Sequence, residues 1–120
     1  MNVLNDNTIL AELRAAWLDS CPGQVDAHEE GGFVLKRLDG SLYVERWPKG
    51  TQRQIYVPSH GGSRRGESAI VATFHTYPNT GFDYQQDPSL TDVRAVRDDP
   101  DLGGPEYEGE YVISEKMVIV

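Results

Sequence analysis

The sequence is poor in cysteine, in basic residues and in long apolar runs, and each shortage excludes something. A single cysteine, Cys21, stands among 120 residues, so neither an intrachain disulfide nor a cysteine-rich zinc knuckle can form. That suits a reducing compartment. No apolar run approaches the roughly 18 residues that a membrane-spanning helix requires. The opening MNVLNDNTIL has no basic n-region and no apolar h-region, so a cleaved signal peptide is not expected and a cytoplasmic location is. Lysine and arginine total 11 against 19 acidic residues, a net charge of −8, with a pI of about 4.7. Such a surface repels polyanions, so no nucleic-acid or membrane partner is expected. The basic pair Arg64-Arg65 within GGSRRGE reads as a solvated loop.

What is present fits one domain spanning residues 1–120. A chain of this length buries roughly two thirds of its unfolded surface, which is enough for a core without disulfides. Residues 8–20, TILAELRAAWLDS, place Ile9, Leu10, Leu13, Ala16, Trp17 and Leu18 at helical spacing, with Asp6 or Asn7 positioned as the cap. Pro22 and Gly23 end that helix, the glycine suiting a left-handed turn. GFVLKRL and SLYVERW flank Asp39-Gly40, a two-residue hairpin signal. RQIYVP is expected to be a third strand ending at Pro58, and HGGSRRGES a glycine-rich loop. AIVATFHTY is the most apolar β-rich run and is expected at the centre of the sheet. A short helix is expected from Ser89 through LTDVRAVRDD, and EYVISEKMVIV closes the chain as a hairpin about Glu115-Lys116. The order of elements predicts an α+β domain around a mixed or antiparallel sheet. The chain stops inside the apolar segment 117–120, as either a complete small domain or one trimmed at that edge.

Candidate chemistry begins at FHTYPNTG. In an extended segment His75 and Tyr77 point to one face, because side chains alternate with period two. A hydrolytic zinc site takes three protein ligands, one open position for water, and a carboxylate that accepts the water's proton. Asp92, opening the later helix, is placed to give a carboxylate oxygen, and Glu29 or Glu30 to give the base.

The segments EEGGFVL, ATFHTYPN and PSLTD together resemble the JAB/JAMM metalloprotease family, of MPN or Mov34 type, including its bacterial members. Its signature is an upstream Glu, then His-x-His-Pro, then Ser-x-x-Asp. The resemblance covers residues 29–96 in the family's order. It implies a JAB/MPN-like curved mixed sheet, flanked by the N-terminal helix and a second helix after Ser-x-x-Asp. It also implies a zinc hydrolase that cleaves a peptide or a ubiquitin-like conjugate. Position by position, His75 matches the first zinc-binding histidine, Asp92 the third ligand, and Ser89 the serine that stabilises the oxyanion. Glu29, three residues before Gly32, matches the catalytic glutamate better than Glu30 does.

Two departures stand out. Tyr77 occupies the position of the second zinc histidine, and the loop from it to Asp92 is longer than the family's spacing. The loop costs little, because each doubling of length adds only about 0.6 kcal/mol of closure entropy. The tyrosine costs more: its phenol, with a pKa of about 10, must lose a proton to bind metal well, whereas a neutral imidazole need not. Two function classes therefore remain: a zinc peptidase or isopeptidase, and a metal-free relative serving as a binding or scaffold module.

Structural roles compete at each position. His75 can be a hydrogen-bonded core histidine, and Ser89 with Asp92 can form a capping box. Glu29 and Glu30 can be solvated turn residues, and Tyr77 can simply fill the vacated ligand space. His60 in the glycine loop is a candidate replacement ligand. His28 beside the acidic pair reads as solvated, and Trp17 and Trp47 as core or rim aromatics. Cys21 at a helix C-terminus, where the dipole disfavours a thiolate, reads as non-nucleophilic.

Overall fold

A computed structural model describes residues 3–51, 54–58, 60, 62–78, 107–114 and 117–119. Among the described residues, a 3-10 turn at Val3–Asn5 is followed by one helix, α1 (Asn7–Asp19), and then six strands. The strands are β1 (Gly31–Lys36), β2 (Leu42–Arg46), β3 (Arg64–Arg65), β4 (Ser68–Thr76), β5 (Glu110–Ser114) and β6 (Met117–Ile119). They form one sheet in the order β2-β1-β4-β5-β6, with β3 pairing β4 beside that path. Among the described strands only β4 and β5 run parallel; the other pairs are antiparallel. The protein is thus an α+β domain with a largely antiparallel sheet. Among the described residues no helix is long and apolar enough to cross a membrane.

Helix α1 starts where its cap predicts. The Asp6 carboxylate accepts from Thr8 N at 2.8 Å and Ile9 N at 3.2 Å, satisfying two amides that the helix leaves open. Ile9, Leu13 and Ala16, spaced four and three apart, are buried against the sheet. Leu18 falls off that stripe and is 72% exposed. The residue that leaves the helix in a left-handed conformation is Cys21 (φ 54°), ahead of the expected Gly23 (φ 74°).

The β1–β2 hairpin forms as expected, but its loop is longer than two residues. Arg37 N donates to Ser41 O and Gly40 N donates back to Arg37 O. Leu38, Asp39 and Gly40 make the turn, and Gly40 takes the positive φ (90°) that a three-residue hairpin asks of its last position. Two other expectations fail. Residues 54–58 of RQIYVP form no strand; Thr51 N and Gln54 O close a tight turn at 2.8 Å, and Ile55 is buried. The loop expected at Arg64-Arg65 is instead a small hairpin: Arg64 pairs Ala69 and Arg65 pairs Ser68 around Gly66 (φ 64°).

Both faces of β1 and β4 are covered, which is why their sequences are almost continuously apolar. On one face α1 and Val3 pack on Val34, Val71, Ala72, Phe74, Tyr111 and Ile113. On the other, Phe33, Leu35, Trp47, Ile55 and Ile70 form a second core. Each fully buried side chain of this size contributes about 1.5–3 kcal/mol. A register shift sets which residue of β4 belongs to which face. Val34 pairs Ala72 but Leu35 pairs Ile70, so Val71 is an extra residue in β4. Simple alternation would put Ile70 and His75 on opposite faces; the bulge puts both on the second face.

Candidate functional site

The site grows from the pairing of β1 with the end of β4. Gly31 lies directly opposite His75, and Gly32 opposite Phe74. Both glycines are required by close neighbours. A Cβ on Gly31 would stand 2.7 Å from Phe74 O and 2.7 Å from the Trp47 ring, and one on Gly32 2.9 Å from the Phe74 ring. The ladder continues one residue back: Thr76 N donates to Glu30 O at 2.8 Å, and Glu30 N to Thr76 Oγ1 at 2.9 Å. On the other side Glu29 N donates to Thr51 O and Glu29 O accepts from Gly50 N, each at 2.8 Å. The acidic pair is therefore extended backbone held on both edges.

Alternation then separates the two glutamates. Glu30 goes to the helix face, where its Oε1 meets Arg46 Nη2 at 2.6 Å and its Oε2 meets His28 Nε2 at 2.5 Å. Arg46 also reaches Asp19, the last residue of α1, at 3.3 Å. By the same alternation from Gly31, Glu29 is assigned to the face of His75, and it is completely buried. Neither glutamate is the solvated turn residue that the sequence allows. His28, expected in solvent, is half-buried and tied to Glu30.

His75 is 1% exposed at the end of β4. Its Nδ1 is in ion-pair contact with Oε1 of Glu110, the first residue of β5. Its Nε2 is buried and has no hydrogen-bond partner among the described residues. A proton on that nitrogen would leave a buried donor unsatisfied, at a cost of about 1–3 kcal/mol. An unprotonated Nε2 is instead an electron-pair donor. Beside His75 on the same face, Thr73 Oγ1 shares a 2.8 Å hydrogen bond with Tyr107 Oη.

Tyr77 follows two residues after His75, half-buried, with its N–H donating to Ile113 O at 2.7 Å. Pro78 is buried, and its carbonyl accepts from Gly23 N at 3.2 Å. Ser89 and Asp92, with the helix expected around them, lie outside the described residues. Among the described residues no group of three or more His, Cys, Asp or Glu side chains could hold a metal ion. His75 fits a zinc site as one donor, with its second nitrogen against a carboxylate as metal-bound histidines commonly have.

His60, the other candidate ligand, packs edge-on against Phe33 with ring centres 5.7 Å apart, and its Nδ1 meets Gly62 O at 2.6 Å. Trp47 belongs to the second core and Trp17 packs at the margin of the first. Partial desolvation, and after it the Asp26 carboxylate, push the Cys21 thiol up.

Sequence reasoning missed Glu110. The available signal was its phase: in EYVIS, Tyr111 and Ile113 join the first core, which leaves Glu110 and Val112 for the opposite face. That this face carries His75 depends on the parallel β4–β5 pairing, in which His75 stands opposite Val112. No protein-family model, curated protein or solved structure matches the chain.

Proposed function

We propose that this domain is a JAB/JAMM-like zinc-dependent peptidase or isopeptidase with an altered metal shell, acting on a peptide or a ubiquitin-like conjugate. The observation that supports it best is the Gly31–His75 register, from which alternation assigns Glu29 to the sheet face of His75, while Glu30 pairs with Arg46. Their sequence separation is large, and the family resemblance assigns these two residues the base and the first metal ligand. Nε2 of His75, Tyr77 and Asp92 would hold the metal. Zinc would supply Lewis-acid activation of water and of the scissile carbonyl. Glu29 would take the attacking water's proton and return it to the leaving amine, a transfer suited to a carboxylate in a closed site. Ser89 would donate a hydrogen bond from its hydroxyl to the developing oxyanion.

Tyr77 supports a second reading, a metal-free binding or scaffold module, because a phenol at the second ligand position weakens metal affinity at neutral pH. Elemental analysis of the purified protein and of two variants separates them. Under the enzyme reading the unmodified chain carries stoichiometric zinc, which His75→Ala removes. Zinc that appears only in Tyr77→His overturns the enzyme reading and supports the scaffold.

A further inference from the structure

We propose that Glu110 is a positioning residue of this site: it holds the proton of His75 on Nδ1 and so presents Nε2 as an electron-pair donor. The inference extends the reading of His75 as a metal ligand, but its core, the state of the imidazole, can be tested without metal. Three observations carry it. Oε1 of Glu110 is in ion-pair contact with Nδ1 of His75, and that buried oxygen makes no hydrogen bond to any described residue. Nε2 of the same ring is buried and makes no hydrogen bond to any of those residues, so a proton is better placed on Nδ1. Finally, the carboxylate comes from a fixed element. Glu110 opens β5 opposite Thr73, and just before it Thr73 N donates to Gly109 O at 3.2 Å and Glu108 N to Val71 O at 2.7 Å. Gly109, at φ 128°, lets the chain turn into the strand there.

A histidine ring can turn over, exchanging its two nitrogens. A carboxylate at one edge removes that freedom, as carboxylates behind metal-bound histidines do. The two strands that hold the pair are parallel neighbours, so the orientation is built into the sheet.

Long-range proton–nitrogen NMR correlation on the 15N-labelled, metal-free chain reads the tautomer of His75, with His75→Gln identifying its signals among the three histidines. The expected result is protonation at Nδ1 alone in the unmodified protein, kept in Glu110→Gln and lost to a mixture or to the Nε2–H form in Glu110→Ala. A proton on Nε2 of the unmodified protein at neutral pH overturns the proposal, whether or not any variant folds. So does a folded Glu110→Ala protein with an unchanged His75 spectrum. A zinc competition assay forms the second arm, in which Glu110→Ala is expected to bind about 10–100-fold more weakly. If the unmodified chain binds no zinc, the peptidase reading falls, and the tautomer spectrum still decides the role of Glu110.

Discussion

Glu30→Gln separates the two adjacent glutamates by what each one does. Glu30 Oε1 lies 2.6 Å from Arg46 Nη2, and the side chains are 10% and 26% exposed. Exposed ion pairs contribute about 0–1 kcal/mol, whereas removing one member of a fully buried pair costs about 3–5 kcal/mol. This pair lies between those limits. Arg46 keeps a second partner, Asp19 at 3.3 Å, but Asp19 is 62% exposed and compensates weakly. The expected loss is about 2 kcal/mol, or a fall in Tm of about 8 °C at some 4 °C per kcal/mol for a domain of this size. Urea unfolding should show a lower midpoint at unchanged slope, because the folded surface is the same. A double-mutant cycle with Arg46→Gln should return most of that loss as coupling energy. Glu29→Gln should behave oppositely, abolishing any peptidase activity, while Glu30→Gln leaves activity measurable below its midpoint. A Glu30→Gln protein within 0.5 kcal/mol of the parent, or one as inactive as Glu29→Gln, would refute this division of roles.

Gly31→Ala should cost about 1–3 kcal/mol, since the new methyl meets the Phe74 carbonyl and the Trp47 ring at 2.7 Å and one of those contacts is backbone; a urea midpoint equal to the parent's would show that the β1–β4 pair can open. Tyr111 gives an alkaline prediction. Burial first, and then the Glu108 carboxylate accepting its hydroxyl at 3.0 Å, push the phenol up to about 12. The folded state thus keeps a proton that the unfolded chain releases at about pH 10. This contribution is complete below about pH 10 and is lost as pH rises through about 12. Tyr111→Phe should flatten that part of the stability profile in urea titrations; a decline identical to the parent's would count against the assignment.

Elements specified by neighbours in sequence were readable, and those specified by distant partners were not. The Asp6 cap and the Ile9, Leu13, Ala16 stripe are local and define α1 nearly to the residue. Asp39-Gly40 likewise marks its hairpin, although loop length depends on how Arg37 and Ser41 pair. RQIYVP has the composition of a strand, but residues 54–58 form none; Ile55 instead enters the second core from a turn. The two-residue strand at Arg64–Arg65 owes its existence to Ser68 and Ala69, not to its own composition. The Ser89–Asp92 helix lies outside the described residues.

The same distinction governs the site. Alternation along the sequence says that Glu29 and Glu30 face opposite ways and that His75 and Tyr77 face the same way, but it does not say which glutamate shares a face with the histidine. Two non-local facts settle that: the Gly31–His75 register and the extra residue at Val71. Without the bulge, a β4 strand that kept Ile70 in the second core would turn His75 toward α1, onto the face of Glu30 and Arg46. With it, His75 stands with Glu29 and within reach of Glu110. Deleting Val71 should therefore do more than remove a core side chain. It should rephase the strand, force either Ile70 or His75 onto the wrong face, and separate the effect on the His75 spectrum from that of Val71→Ala, which leaves the register intact.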